Sequence, residues 1–212
     1  MPRTLVPRRP PREQVVAGIL DAAVALFAKH GYETTTMQDV AAKVAMTGPA
    51  LYYYFDSKQD LLFEVIELNL ARIIDRLDTA LAATPIPAGS AAGELTAFVR
   101  THVEFQLATI EGARVYNAMF LGTDALLGAL TPRQRAKVIE LQDRVLDRLK
   151  AILRQGVAKG EFVIEDVTVT AMGIMALGEF APAWFKANGR LTAAQVARQY
   201  GATALRMVGC SE

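Results

Sequence analysis

The sequence predicts an all-α protein of about nine helices, with a small N-terminal domain followed by a larger C-terminal one. Three observations lead there. Apolar residues recur at spacings of three and four through most of the chain. Strand-like alternation is scarce, and the one β-branched cluster, Val163 to Thr170, merges into an apolar helical pattern. Capping residues and Gly or Pro stops cut these runs at ordinary helical lengths.

The first helix is expected from about Glu13 to His30, with Val16, Ile19, Leu20, Ala23 and Phe27 on one face and Gly31 just past its end. A short helix follows from Met37 to about Val44; Thr36 caps it and Asp39 completes a capping-box-like pair. A second short helix, capped by Thr47, runs from about Gly48 to Tyr54. Ser57 caps a long fourth helix reaching about Ala82, whose stripe is Leu61, Leu62, Val65, Ile66, Ile73, Leu77 and Leu81. The Pro/Gly-rich stretch from Ala83 to Gly93 reads as a loop inside the second domain. Helices near 91–110 and 113–121 come next. Another begins at Thr131 with Pro132 in its first position, and Gly156 and Gly160 mark its end. An unusually apolar helix from about Asp166 to Ala187 is stopped by Asn188-Gly189, and a last one starts at Thr192 with Gln195 as its capping partner.

Composition excludes several classes. The chain has 212 residues, 52% of them hydrophobic and 21% charged, with net charge +1, which fits a soluble globular protein and not a disordered one. The uncharged run from Val167 to Gly178 stops at Glu179, short of a membrane span, and residues 1 to 12 do not read as a signal peptide. Cys210 is the only cysteine, so no intramolecular disulfide is possible and a cytoplasmic location is expected. The near-neutral total conceals a flexible basic arm, residues 1–12, carrying Arg3, Arg8, Arg9 and Arg12 without an acid. Such an arm can follow a polyanion.

Two short helices with a three-residue joint, between Thr36 and Phe55, have the spacing of a helix-turn-helix. Ala41 is small where the helices cross, and Leu51 faces a miniature core with Val40, Val44, Met46 and Tyr54. By spacing alone an ordinary helical hairpin competes with that reading. The surrounding residues are more specific: Ile19 to Phe27, Gly31-Tyr32, Thr35-Thr36, Val40-Ala41, Leu51-Tyr52, Phe55, Ser57-Lys58 and Leu61-Leu62. Together, over about residues 12 to 62, they resemble the N-terminal domain of the TetR family of transcriptional repressors. The resemblance implies a helix-turn-helix DNA-binding domain at 13–58 and a ligand-binding and dimerisation domain at 59–212. It implies a homodimer reading a palindromic operator in double-stranded DNA. The sequence departs from the family at the joint, where Gly is usual and Ala45 stands here.

Carried onto this chain, the family pattern assigns DNA contact to Thr36, Thr47, Gly48, Pro49, Tyr52, Tyr53 and Lys58. Thr36 would donate to a phosphate and Lys58 would supply charge to the DNA backbone. Thr47, Gly48 and Pro49 would form the groove-facing tip, with Tyr52 and Tyr53 reaching phosphates, base edges or thymine methyls. Gly48 lacks the long polar reader of many relatives, so apolar contact and DNA shape should weigh heavily. Tyr54 is expected in the core. A dimer would set its two reading helices about 34–36 Å apart.

For the C-terminal body, helices near 166–187 and 192–207 combine small residues with apolar area, and the family pairs copies through this region. Aromatic and flexible residues nominate Phe105, Tyr116, Met119, Phe120, Met175, Phe180 and Trp184 as the lining of a pocket for a mainly apolar effector, although core packing explains most of them as well. The segment from Trp184 to Thr192 resembles regulators of fatty-acid and steroid catabolism within the family, which implies an acyl-CoA or related lipid as effector, with apolar drugs as the rival class. The effector would release the repressor allosterically. Enzymatic function is not expected: the two histidines, His30 and His102, have no nucleophile at recognisable spacing, and no metal or cofactor motif occurs. The alternative is a helical lipid- or drug-binding protein whose DNA head is vestigial.

Overall fold

The computed structural model describes residues 11–83, 90–121 and 125–210, with ten helices and no strand among them. The basic arm up to Pro10 lies outside the described residues, as does most of the Pro/Gly-rich loop. Contacts divide the chain between Val65 and Ile66.

In the first unit α1 (Arg12–His30), α2 (Met37–Lys43) and α3 (Gly48–Tyr52) pack with the opening turns of α4 (Lys58–Ala83). Ile19, Ala23, Phe27, Val40, Ala41, Leu51, Phe55 and Leu61 are buried there. Local chemistry fixes the starts of α2, α3 and α4. The Thr36 and Asp39 pair forms the complete capping box, Thr47 Oγ1 accepts from Ala50 N at 3.3 Å, and Ser57 Oγ accepts from Asp60 N at 3.0 Å. Tyr54 is half-buried rather than core, its ring under the Arg12 guanidinium at 5.9 Å.

The joint after α2 carries the family departure. Met46 N donates to Ala41 O at 2.8 Å and Ala45 N to Ala42 O at 3.2 Å, the bond pair of a Schellman motif. The chain builds the same motif after α8 and after α10, and there glycine takes the left-handed position: Gly160 and Gly209, each at φ 71°. At the helix-turn-helix joint that position holds Ala45, at φ 55°. A β-carbon in this region costs about 1–2 kcal/mol, of which the greater freedom of glycine in the unfolded chain cancels about 0.4–1. Ala45→Gly should therefore stabilise the protein by about 0.5–1 kcal/mol in urea titration, with no change of fold. A loss of stability would show that Ala45 contributes something other than its backbone angle.

The second unit comprises the rest of α4 with α5 (Ala91–Ala108), α6 (Ile110–Leu121), α7 (Ala125–Ala129), α8 (Pro132–Ala158), α9 (Val167–Trp184) and α10 (Ala193–Met207). Helix α5 is central, packed against α8, α9 and α10. Helix α7 is an addition to the nine that periodicity implies, being too short to show any. Gly156 does not end α8. It lies inside the helix, where a β-carbon would stand 2.0 Å from the Phe162 ring that folds back over it. Helix α9 stops at Trp184, earlier than Asn188-Gly189 would dictate, because Phe185 turns to extended backbone after Pro182 has removed one donor from the last turn. By length and mean hydropathy alone, α9 reaches the lower limit of a membrane span. Its two faces differ, however: Ala171, Ile174, Met175, Gly178 and Glu179 are buried, while Val169, Met172, Phe180 and Trp184 form an exposed stripe at helical spacing.

Candidate functional site

Helix α3 buries Leu51 and turns its other residues outward. Tyr52 is 45% exposed and Tyr53 76%, and Thr47 and Pro49 are exposed beside them. Tyr53 touches its own unit mainly through an edge-on contact with Tyr54, ring centroids 5.2 Å apart. Gly48 has open space where a β-carbon would point, and its backbone is ordinary. The fold therefore does not require glycine there. Gly48→Ala should leave thermal stability unchanged or slightly raised, since alanine is the better helix former. If the backbone approaches DNA closely at this point, operator affinity should fall about tenfold in a mobility-shift titration, as it does when roughly 1.4 kcal/mol of contact is lost.

Two of the residues assigned to DNA contact are already engaged. The Thr36 hydroxyl donates to Asp39 Oδ2 at 2.7 Å, so donating to a phosphate requires that bond to open. The Asp39 carboxyl is held below its ordinary pKa chiefly by this hydroxyl and the Thr36 backbone N–H, and it adds a negative charge beside Thr36. Lys58 Nζ donates to the backbone carbonyls of Tyr32 and Glu33 at 3.0 and 3.2 Å and sits 4.3 Å from the Tyr32 ring centre. Its ammonium ties the start of α4 to the loop after α1, so it is a structural bracket as well as a surface charge.

The second unit contains a cavity of about 220 Å3 with walls from α4, α5, α8 and α9. Leu70, Ile73, Phe105, Val145, Leu146, Met172 and Met175 give it an apolar wall. Phe105 and Met175 are thus brought together. Phe180 and Trp184 are not: both stand on the exposed stripe of α9, where Trp184 Nε1 donates to Tyr200 Oη at 3.2 Å. The side chains of Tyr116, Met119 and Phe120 lie outside the described residues, although the α6 backbone is described.

What distinguishes the cavity is its polar content. His102, Gln106 and Glu179 all reach it and are all at most 5% exposed. Both His102 ring nitrogens, Gln106 Oε1 and both Glu179 carboxylate oxygens have no hydrogen-bond partner. Burial pushes the Glu179 pKa up to about 7 and the His102 pKa down to about 4. The His102 ring stacks parallel to Phe98, ring centroids 6.3 Å apart, and lies against Gly178, where a β-carbon would come within 2.6 Å of its Cδ2. On the other side, the Asn117 amide donates to the Glu179 backbone carbonyl. A larger cleft of about 630 Å3 between α4 and α8 is lined by Asp78, Arg144, Asp147 and Arg148, but it opens to solvent and its Arg148 and Asp78 pair with each other. Buried polar atoms without partners are costly, and they single out the smaller cavity.

Two family models cover most of the chain. One, described as bacterial regulatory proteins of the tetR family, matches residues 19–65; the other, a tetracyclin repressor-like C-terminal domain, matches residues 88–208. The chain belongs to the TetR family. It is accordingly a DNA-binding transcriptional regulator with a helix-turn-helix at its N-terminal end. Among relatives of this TetR protein, the HTH-type transcriptional repressor KstR2 of Rhodococcus jostii is 25% identical over 86% of this chain and 85% of its own. A crystal structure of a tetR-family regulatory protein from Rhodococcus RHA1 superposes with a TM-score of 0.82 at 26% identity, covering 94% of this chain and 99% of that one. AibR, crystallised in complex with isovaleryl coenzyme A and operator DNA, superposes with a TM-score of 0.75 at 25% identity, covering 93% and 100%.

Sequence reading nominates apolar and aromatic side chains for the TetR protein's cavity and does not nominate Gln106 or Glu179. Gln106 and Glu179 lie within apolar helical runs, and for His102 a place facing a pocket is one reading of the sequence, beside the commoner surface or core role. A signal was present. Glu179 is the one charge in an otherwise uncharged helix from Val167 to Trp184, and such a group needs a reason to be there.

Proposed function

We propose that this TetR-family regulator is a ligand-responsive repressor that binds a palindromic operator as a homodimer and leaves it when a mainly apolar small molecule fills the α4–α5–α8–α9 cavity. The observation that carries the reading is the outward face of α3. Two tyrosines and an open Gly48 stand free on a capped helix whose opposite side is anchored by Leu51. A vestigial head would have no reason to keep two large aromatic rings in water. Residues 1–12 are taken as the basic arm, 13–58 as the DNA-reading domain and 59–212 as the ligand-binding and dimerisation domain, working in the cytoplasm.

The exposed stripe Val169, Met172, Phe180 and Trp184 on α9 supports pairing through α9 and α10, since a monomer would leave it in water. Met172 belongs both to that stripe and to the cavity wall, and α4, which begins in the first unit, supplies Leu70 and Ile73 to the wall. A bound molecule would therefore press on both the dimer face and the helix leading to the reading head. A hundredfold loss of operator affinity requires only about 2.7 kcal/mol of preference for the released state.

Isovaleryl coenzyme A, the ligand in the AibR complex, represents the acyl-CoA class that sequence resemblance implies. Its short acyl group suits a cavity of 220 Å3, but its phosphates would find no Lys or Arg among the described lining residues. Smaller effectors fit the wall better. A mobility-shift titration on DNA flanking the protein's own coding region, with sedimentation to count protomers, tests the reading. It should give sequence-preferring binding by a dimer at moderate salt; absence of preference for any duplex would overturn it.

A further inference from the structure

The polar atoms in the cavity are unbalanced in kind. Glu179 presents two acceptor oxygens and Gln106 one, while neutral His102 presents one acceptor and one donor, all without partners. Asp143 adds a second carboxylate to the lining, on an exposed stretch of α8. No Lys or Arg is among the described lining residues, and the Asn117 amide donates to the Glu179 backbone carbonyl while its own Oδ1 has no partner. A site with an excess of acceptors and a buried acid is completed by a ligand that brings donors and a positive charge. It repels one that brings an anion.

Resting on the cavity as the effector site, we propose that the effector is a small organic amine, its ammonium group seated against Glu179 and Gln106 and its apolar body against Phe105 and Met175. An ammonium supplies three donors and the missing countercharge, whereas a hydroxyl supplies one donor and no charge. The volume limits the body to about the space of seven water molecules, the size of a single ring with a short tail.

The other polar groups that line the cavity with Glu179 are Asn69 from α4, His102 and Gln106 from α5, and Gln142 and Asp143 from α8, and the Asn117 amide of α6 donates to the Glu179 carbonyl. His102 stays neutral between pH 6 and 8, and the four amides do not titrate. Over that range the ionisation of Glu179 changes about tenfold, because its pKa is raised to about 7. A bound ammonium requires the ionised form, so amine affinity should follow it.

Calorimetry on the full-length protein with three compounds of matched size tests this: 2-phenylethylamine, 2-phenylethanol and phenylacetate. The amine should bind about tenfold or more tighter than the alcohol at pH 8, and phenylacetate least. Amine affinity should weaken about tenfold from pH 8 to pH 6 while that of the alcohol stays flat. Glu179→Gln, checked for folding by circular dichroism, should erase the amine's advantage. Phenylacetate binding as tightly as the amine, amine affinity unmoved in Glu179→Gln, or no binding of the amine would each overturn the proposal. Met175→Trp, which fills the cavity, separates the two levels of argument. If the alcohol or phenylacetate proves to be the preferred compound and Met175→Trp abolishes its binding, the cavity remains the effector site and only the amine falls. If binding survives it unchanged, the cavity reading falls as well.

Discussion

Tyr53→Ala should weaken operator binding by about 10- to 100-fold while shifting the melting temperature by no more than about 2 °C. Both halves follow from the same geometry. Tyr53 is 76% exposed and meets its own unit chiefly at the edge of Tyr54, so truncation removes little buried area. The Thr47 cap and the Leu51 anchor remain intact, and α3 keeps its orientation. The loss therefore falls on the DNA contact, where a well-placed side chain contributes about 1–3 kcal/mol. Lys58→Ala is the instructive contrast. Its ammonium bonds two carbonyls of the loop after α1 and rests on Tyr32, so removal should lower stability and affinity together. If Lys58 also meets a phosphate, the salt slope of binding should fall by about one. Mobility shift across a salt series, beside thermal melts, separates the two residues. Tyr53→Ala with unaltered affinity would remove α3 as the reading element.

Much of the fold was legible because it rests on local rules. Thr36, Thr47, Ser57, Thr131 and Thr192 each cap the helix their position announces, and the apolar stripe of α8 and that of α4, apart from half-buried Leu81, are buried as their spacing requires. What was missed depends on partners distant in sequence. Gly156 reads as a stop until Phe162 is seen lying over it, and the Trp184 end of α9 follows from Pro182, not from the Asn188-Gly189 pair downstream. The same holds at the sites. The exposure of Tyr52 and Tyr53 is legible because a short capped helix leaves few faces to choose from. The cavity is not, because its wall draws on four helices and amphipathic spacing does not say which buried face meets a void. Phe180 and Trp184 share a helix with Met175, yet the turn of that helix sends them outward. Aromatic character marks apolar area and is silent about where that area is buried.

The largest change in stability should come from Glu179→Gln, and it should be a gain. Folding raises the Glu179 pKa from an ordinary 4.5 to about 7, so the native state favours the protonated acid and resists its ionisation. The penalty is absent below pH 4.5, grows as the pH rises between the two values, and is complete above pH 7. Its full size is about 3 kcal/mol, a large part of the net stability of a domain. Glutamine keeps the shape without the charge, so the variant should be about 2–3 kcal/mol more stable at pH 8 and nearly equal to the parent at pH 4.5. His102 works in the opposite direction. Its pKa is lowered by burial to about 4, so it contributes stability that is full above pH 6.5 and is lost as the pH falls through 4. Between pH 4.5 and 6.5 the two slopes oppose each other in the parent protein, and removing Glu179 should leave the His102 slope bare. Urea titrations from pH 4 to 8 on both proteins, compared by difference, isolate the glutamate. A variant less stable than its parent at pH 8 would mean that Glu179 is paired in solution. A gain would mean that the chain carries an acid at a cost its fold does not need, which is the expected condition of a residue kept for a ligand.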